Sequence, residues 1–445
     1  MTKGGVKKTM IAFALPVFIS QLFQQLYNTA DSLIVSRMLG KNALAAVSSS
    51  ASLLHLLTSL VVGIFMGAGV VISRYFGAKD NKTVSDAVHT TVAFGLVAGA
   101  VLTVIGVFFS PVLLKWMGTD PKVMDGAISY FRCFFYGAAG MAMYNAFTGI
   151  MNALGDSRRP LYYLIFSSVL NVVLDIVFIG VFGFGVGSAA VATALSQTAS
   201  AVLCYLHLRK PGTIYQLQIR KIRFHGHLLK ETLRMGLPTG LQNSVIAIAN
   251  VLLQSNINSF GADAMAACGI YSKLQGFAFL PITSFTLAIT TFISQNLGAR
   301  EFERAKRGAR FGILASITIA EIIGVILVVF APVFVRMFNK DPIVVNIAVT
   351  QSRIENLFFF LLAYSHAISA VLRGAGKSIV PMIVMLAVWC VFRIIYITIA
   401  MHINHMIELL FWAYPITWTI SSAIFLIYYL KSDWLHGYDG SRAHH

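Results

Sequence analysis

The segment Ile72-Ser-Arg-Tyr-Phe-Gly77-Ala78 recurs with substitutions as Ile293-Ser-Gln-Asn-Leu-Gly298-Ala299, 221 positions further along the chain. Each copy closes a long apolar run and is followed at once by charged residues. This pattern is typical of a helix that leaves a membrane. A segment repeated in this way predicts that the chain consists of two structurally equivalent halves.

The same offset holds across the loops and helix ends on both sides of this segment. It relates Gly40 to Gly261, Ala45 to Ala266, Pro111-Val112 to Pro332-Val333, Asp120-Pro121 to Asp341-Pro342, Arg132 to Arg353, Gly155 to Gly376, Ser157 to Ser378 and Pro160 to Pro381. Pro16 and Pro238 are one position further apart, which indicates a one-residue slip in the first helix of each half.

The composition decides the class of protein. The 445 residues are 57% hydrophobic and 11% charged, with a mean hydropathy of +0.75. These values are typical of a polytopic membrane protein and exclude a soluble enzyme of ordinary composition. Apolar runs of roughly 20 residues, enough to cross a bilayer, predict twelve transmembrane helices. They are expected at 10–36, 50–76, 87–110, 125–150, 160–182, 187–208, 233–258, 268–297, 308–333, 345–372, 380–402 and 408–431.

The repeat predicts the architecture. Because each half holds an even number of helices, both halves enter the membrane in the same orientation, as parallel repeats about a pseudo-two-fold axis along the membrane normal. We therefore predict an all-α protein of two six-helix bundles, V-shaped with a central cleft. The predicted parts are an N-lobe (1–208), a cytoplasmic linker containing Pro211-Gly212 (209–232), a C-lobe (233–431) and a cytoplasmic tail (432–445).

The net charge of +17 reflects membrane topology rather than nucleic-acid binding. If residue 1 lies in the cytoplasm, most Lys and Arg residues fall in cytoplasmic loops. The few on the other side are Arg37, Lys41, Lys115, Lys122, Arg336 and Lys340. This asymmetry follows the positive-inside rule, and it predicts a multi-pass membrane protein with both termini in the cytoplasm.

Two carboxylates, Asp31 and Asp175, lie inside predicted transmembrane helices. A charged side chain at the centre of a bilayer costs at least about 2.5 kcal/mol, so such a residue indicates an ion or proton pathway. Helix directions and a rise of about 1.5 Å per residue place these aspartates at the same depth as Tyr130 and Thr193. Asn171 is four residues before Asp175 and shares its helix face. Alternatively, these polar side chains only hydrogen-bond neighbouring helices.

At this point the sequence resembles the multidrug and toxic compound extrusion (MATE) transporters over nearly its whole length. The resemblance rests on the doubled six-helix plan and on several motifs. These are Ala14-Leu-Pro16 through Tyr27-Asn28-Thr-Ala-Asp31, Arg37-Met-Leu-Gly40, Ser73-Arg-Tyr-Phe-Gly77-Ala78 and Asn152-Ala-Leu-Gly155-Asp156.

The prokaryotic branch of that family named after DNA-damage-inducible protein F has a cation site in its N-lobe. By resemblance, Asp31, Asn171, Asp175 and Thr193 would hold the coupling cation, with Tyr130 beside them. Oxygen ligands suit Na⁺. Two adjacent carboxylates suit a proton equally well, since both are stabilised when they share it. Gln24, Tyr27, Asn145 and Met66 are candidates to line a substrate cavity.

The C-lobe differs from the branch that carries acidic residues on helices 7 and 10. Helix 7 offers only amides, and Glu355 lies near the outer end of helix 10 beside Arg353. The charged residues of this lobe either pair with one another or present cations to an anionic part of a substrate. They are Lys273, Glu321, Arg353, Glu355 and Arg393. The difference favours coupling through the N-lobe alone.

Together these observations predict a monomeric secondary active antiporter, not an enzyme, with no cofactor beyond its coupling ion. It would export amphipathic cationic compounds in exchange for Na⁺ or H⁺. A flippase for a lipid-linked saccharide, from the same superfamily, is the first alternative. A membrane-embedded transferase is the second, but it would need a catalytic motif at membrane level, and the repeat argues against it.

Overall fold

The computed structural model describes residues 1–436, apart from the side chains of Lys41, Ser49, Ser52 and Val251. Residues 437–445 of the predicted tail lie outside the described residues. Across residues 1–436 the structure consists of helices joined by turns and loops and contains no strand, so the predicted fold class is confirmed.

Seven α-helices form the first half of the chain. They are α1 Val6–Leu39, α2 Lys41–Gly77, α3 Asn81–Trp116, α4 Met124–Tyr136, α5 Ala138–Ala153, α6 Arg158–Asp175 and α7 Gly187–Leu208. A π-helical segment, Ile176–Val181, continues α6.

Nine more form the second half. They are α8 Gly226–Asn258, α9 Ala262–Ala278, α10 Leu280–Gly298, α11 Phe302–Phe338, α12 Pro342–Asn356, α13 Phe359–Gly374, α14 Ile379–Met385, α15 Arg393–Ile403 and α16 Ile407–Lys431. A second π-helical segment, Leu386–Phe392, joins α14 to α15.

The helices account for the twelve predicted membrane spans. Ten helical segments in the described chain are long and apolar enough to cross a membrane, and α12 with α13, bent by 49°, forms an eleventh. The remaining predicted span, 125–150, is covered by α4 and α5, which are separated only by Gly137. Most helices extend past their predicted ends because an apolar run marks only the part of a helix that lies in hydrocarbon.

The backbone repeats the internal symmetry of the sequence. Lys79 after α2 has a φ of 61°, and Arg300 after α10 has a φ of 59°. Gly40 and Gly261 have φ values of 86° and 92°, a left-handed conformation that glycine adopts without steric cost. Both pairs are 221 positions apart, so the two halves turn at equivalent places.

The chain divides into two compact units, and two helices pass from one to the other. One unit is Leu15–Ser244, and the other consists of Met1–Ala14 with Val245 onward. Thus α1 and α8 each begin in one unit and end in the other. The predicted linker is helical from Gly226 onward, and the lobe boundaries at residues 208 and 233 stay predictions.

Small residues bring the helices of the unit Leu15–Ser244 close together. A Cβ atom added to Gly137 would lie 2.1 Å from the Cβ of Ala194, and one added to Gly140 would lie 2.0 Å from the Oγ1 of Thr198. The start of α5 is therefore in close contact with α7. Such approach over small side chains is the usual way in which helices pack in a membrane.

Candidate cation site

Four helices of the unit Leu15–Ser244 carry the residues singled out from the sequence. Asp31 lies on α1, Tyr130 on α4, Asn171 and Asp175 on α6, and Thr193 on α7. Asp175 is 0% exposed and Asp31 is 9% exposed. Asn171 and Tyr130 are buried as well, while Thr193 is half-buried.

The local backbone contributes to the position of Asp175. Asn171 and Asp175 lie one turn apart on α6, so both side chains leave the same face of the helix. Immediately after Asp175, the π-helical segment Ile176–Val181 begins. Single π-helical turns are rare and frequently accompany functional sites, because they change which side chains face a neighbour.

The carboxyl groups of the two aspartates lie close together. Asp31 and Asp175 lie within hydrogen-bonding reach of each other. Ionised carboxylates have acceptor oxygens but no donor, so two of them cannot bond directly. A proton shared between them, or a cation that both bind, would stabilise the contact.

Four buried oxygens around this contact have no hydrogen-bond partner in the described structure. They are Oδ1 of Asp31, Oδ1 of Asn171, and Oδ1 and Oδ2 of Asp175. Leaving a buried acceptor unsatisfied costs about 1 to 3 kcal/mol, and more for a charged group. An oxygen-lined position of this kind fits a hard cation such as Na⁺.

The amide of Asn171 is held in one orientation by α7. Its Nδ2 donates a hydrogen bond of 3.2 Å to Oγ1 of Thr193, and that hydroxyl donates to the carbonyl of Ala189 at 3.1 Å. Because Nδ2 is used for this bond, the acceptor Oδ1 of Asn171 remains free for a ligand. Thr193 is thus a partner that orients a ligand residue, and its own oxygen also lies beside the site.

The residues predicted to line a substrate cavity are not buried to the same degree. Gln24 is exposed, whereas Tyr27, Met66 and Asn145 are half-buried. The hydroxyl of Tyr27 lies near the side chains of Gln24 and of a residue that sequence reasoning missed, Gln197 on α7. Gln197 follows Thr193 by four residues, and this spacing on one helix face could have revealed it.

Two of the C-lobe residues are buried in one polar cluster. Glu355 is 0% exposed and accepts hydrogen bonds from Nε2 of Gln351 at 2.9 Å and from Nε2 of Gln275 at 3.4 Å. Arg393 is also buried, and its Nη2 donates to Oγ1 of Thr417 at 2.8 Å.

The other charged residues of the C-lobe lie elsewhere. Arg353 is exposed, and Nζ of Lys273 lies 5.9 Å from the centre of the Phe338 ring. Glu321 on α11 accepts a 3.2 Å hydrogen bond from the backbone N–H of Phe360. That N–H belongs to the first turn of α13 and has no partner within its own helix, so Glu321 caps a helix instead of forming an ion pair.

Comparison with known proteins agrees with the doubled architecture. The family model MatE matches the chain twice, at residues 16–177 and at 238–399. The chain is 30% identical to the probable multidrug resistance protein YoeA of Bacillus subtilis, over 96% of this chain and 94% of that protein. It is 27% identical to the probable multidrug resistance protein NorM of Thermotoga maritima, with 86% and 83% covered.

Its fold matches that of a solved MATE transporter. The structure described as the outward-facing conformation of a multidrug resistance MATE family transporter superposes with a TM-score of 0.91 at 24% identity, covering 98% of both chains. The two family matches and the full-length similarity to YoeA decide the assignment. The chain is a multi-pass membrane protein that belongs to the MatE family, the MATE transporters.

Proposed function

We propose that this protein is a secondary active multidrug exporter of a prokaryotic plasma membrane, with both termini in the cytoplasm. It exchanges amphipathic cationic compounds for inward-moving Na⁺ or H⁺ and acts as a monomer without a cofactor. The observation that carries this proposal is the buried contact between Asp31 and Asp175, in which Oδ1 of Asp31 and both oxygens of Asp175 have no donor among the described residues.

The coupling follows from the charge of this contact. When the site is empty, two carboxylates at close range repel each other, and this repulsion favours a different packing of α1 against α6. A bound cation or a shared proton removes the repulsion and favours the packing seen here. A ligand shifts an equilibrium only by its difference in affinity for the two states, and a cation that needs both carboxylates has such a difference.

The proposed cargo has support from the comparisons and from the side chains near the site. YoeA and NorM are both named as probable multidrug resistance proteins. Tyr27, with its aromatic face, and the amide of Gln197 lie on the same helices as Asp31 and Thr193. An aromatic ring can attract an organic cation, and an amide can accept hydrogen bonds from varied compounds.

The test is uptake of a fluorescent cation such as ethidium into proteoliposomes that contain the purified protein. We expect accumulation when a Na⁺ or H⁺ gradient is imposed, and the effective gradient identifies the coupling ion. Asp175→Asn should abolish the accumulation while the protein is still inserted and folded. Gradient-driven accumulation that persists in Asp175→Asn would contradict the proposed coupling site.

Absence of ethidium transport by active protein under both gradients would contradict drug antiport. That result would favour the lipid-linked saccharide flippase. Lipid that copurifies with the protein, identified by mass spectrometry, would then separate the two functions.

A further inference from the structure

The repeat gives each residue of the N-terminal site a counterpart in the second half. The 221-residue offset pairs Tyr130 with Gln351, and it pairs Thr193 on α7 with Tyr414 on α16. Tyr130 and Gln351 are both buried, at 7% and 5% exposure. The counterparts of the cation site therefore lie on α12 and α16 of the C-terminal unit.

In the part of the second half that corresponds to α6, the offset between equivalent residues changes from 221 to 222. The buried Leu164 and Ser168 of α6 correspond to the buried Met385 and Trp389 at the offset of 221. Trp389 lies inside the π-helical segment Leu386–Phe392, which ends just before Arg393. A π-helical turn accommodates one extra residue per turn, so the offset after this segment is 222. The π-helical segment Ile176–Val181 of the first half returns it to 221 before α7.

The shifted offset assigns the remaining pairs. Asn171 corresponds to Arg393, which is buried, and Asp175 corresponds to Ile397, which is 4% exposed. The ends of the two family matches, residues 177 and 399, are separated by the same 222 positions. The prolines in α1 and α8 also have this offset, and it pairs Asp31 with the buried Leu253.

Two carboxylates of the first half are thus replaced by aliphatic side chains in the second, and a ligand amide is replaced by a guanidinium. Leu253 and Ile397 lie in one hydrophobic cluster. Arg393 lies over the ring of Tyr414, 4.5 Å from its centre. Its Nη2 bonds to Thr417, while its Nε has no hydrogen-bond partner in the described structure.

A buried carboxyl group interacts electrostatically with this guanidinium. Glu355, one turn after Gln351 on α12, is fully buried and within electrostatic range of Arg393. Its carboxyl group accepts hydrogen bonds from the neutral amides of Gln351 and Gln275. A buried carboxylate without a positive charge nearby would be strongly destabilising, so Arg393 supplies the charge that a bound cation would otherwise supply.

We infer that Arg393 is a tethered cation in the C-terminal counterpart of the cation site, so that only the N-terminal half takes up a mobile cation. This inference deepens the proposed function, on which it rests for the N-terminal site. It assigns one coupling site per chain. It also identifies Glu355 as a latent cation site that removal of Arg393 would expose.

The first test measures the melting temperature of the purified protein as NaCl replaces choline chloride, and separately as the pH is lowered. Ligands that bind only the folded state raise the melting temperature. We expect wild type to respond to Na⁺ or to protons, and we expect Asp31→Asn with Asp175→Asn to lose the whole response. A residual response that disappears when Glu355→Gln is added would overturn the inference.

The second test adds Arg393→Gln to the variant that lacks both aspartates. We expect the cation response to return, and to disappear again with Glu355→Gln. Arg393→Lys is the matched control, because it keeps the tethered charge and should leave the protein insensitive. An Arg393→Gln protein that folds and stays insensitive to Na⁺ and to pH would overturn the inference.

The two tests also separate this inference from the proposed function. If Arg393→Gln fails to fold, the first test alone decides the inference: the variant with Asp31→Asn and Asp175→Asn should have lost the cation response of its melting temperature. A wild-type protein that responds to no cation would contradict the N-terminal site, and the Arg393→Gln protein would still decide the role of Arg393. Both measurements detect binding rather than transport.

Discussion

At the scale of single residues, the central feature of the proposed site is a pair of buried acids that a bound cation or a shared proton would stabilise. Asp31 and Asp175 are buried in contact, and Oδ1 of Asp31 and both oxygens of Asp175 have no donor. Structural ion pairs in proteins hold a side-chain cation beside the carboxylate, whereas this site leaves that place open for a ligand. Such a site is suited to reversible cation binding rather than to stabilising the folded protein.

The first prediction separates a functional role of these acids from a structural one. Asp175→Asn should abolish gradient-driven transport but leave the melting temperature in cation-free buffer unchanged or higher, because it removes an uncompensated buried charge. Transport and thermal melting are measured on the same preparation. Asp125→Asn is the matched control, since Asp125 is exposed on α4, and it should change neither. A large fall in the melting temperature of Asp175→Asn would instead indicate a structural role.

The second prediction concerns the residue that orients Asn171. Thr193→Val keeps the shape of the side chain but removes the acceptor of the 3.2 Å bond from Asn171. Losing one hydrogen bond of about 1 to 1.5 kcal/mol should weaken cation affinity by roughly tenfold. The cation dependence of transport measures this shift. Thr198→Val, at an exposed threonine on the same helix, should leave the affinity unchanged, and equal effects of the two variants would argue against the role of Thr193.

Sequence spacing can single out individual residues of the candidate site, but not all their partners. Acids in apolar helices are rare enough to single out Asp31 and Asp175, and the four-residue spacing adds Asn171. Gln197 was missed because an amide in a helix is common and its contact with Tyr27 depends on how α1 meets α7. The cap that Glu321 provides for α13 was missed because it depends on where the span α12–α13 bends.

At the scale of helices, packing depends on glycines that allow backbones to touch. A Cβ atom added to Gly67 on α2 would lie 2.3 Å from the backbone nitrogen of Gly236 on α8. Gly63 and Gly240 approach each other in the same way. These pairs form two small-xxx-small motifs that cross, the arrangement that brings membrane helices closest together.

The third prediction tests this crossing. In Gly67→Ala the new methyl group would meet only backbone atoms, so no rotamer change relieves the clash and α2 must move from α8. We expect a loss of about 1 to 3 kcal/mol, the usual cost of overpacking, seen as a lower melting temperature. Gly269→Ala on α9 is the matched control, because nothing lies within 4 Å of its added Cβ. Equal melting temperatures for both variants would contradict the close packing.

Helix positions could be predicted from hydropathy, but irregular turns could not. The transmembrane helix predicted at 187–208 coincides with α7, because glycine and basic residues border that apolar run. The π-helical segments Ile176–Val181 and Leu386–Phe392 leave no mark in composition. A π turn differs from an α turn by one residue, and only the packing of neighbouring helices decides between them.

At the scale of the whole molecule, the sequence repeat predicted two equivalent halves but did not predict where the compact units divide. The division falls inside α1 after Ala14 and inside α8 after Ser244. Both helices continue without a break at these points, so no loop or change of composition marks them.

The fourth prediction concerns the contact between α2 and α8. Ser59 on α2 and Ser244 on α8 lie 2.9 Å apart at their hydroxyl oxygens, so cysteines at both positions can form a disulfide in a variant without the four native cysteines. Because α2 belongs to the predicted N-lobe and residue 244 of α8 to the predicted C-lobe, and because alternating access moves one lobe against the other, the disulfide should arrest transport, and reduction should restore it.

The matched control for this disulfide joins two helices of the predicted C-lobe. Ser365 on α13 and Ser421 on α16 are 3.0 Å apart, so cysteines there tie together two helices of the C-terminal unit. This second disulfide should leave transport largely intact. Full transport by the oxidised Ser59→Cys, Ser244→Cys protein would contradict a required movement between α2 and α8.

The most direct test of the central claim is ion movement driven by the drug itself. Proteoliposomes are loaded with ethidium in the absence of any ion gradient, and internal Na⁺ and pH are followed by fluorescent indicators as the drug leaves. The coupling proposed here predicts that the outward drug gradient draws Na⁺ or H⁺ inward through wild type, and that Asp31→Asn and Asp175→Asn each abolish this ion movement. Ethidium efflux through wild type without ion movement, or ion movement that persists in both variants, would contradict it.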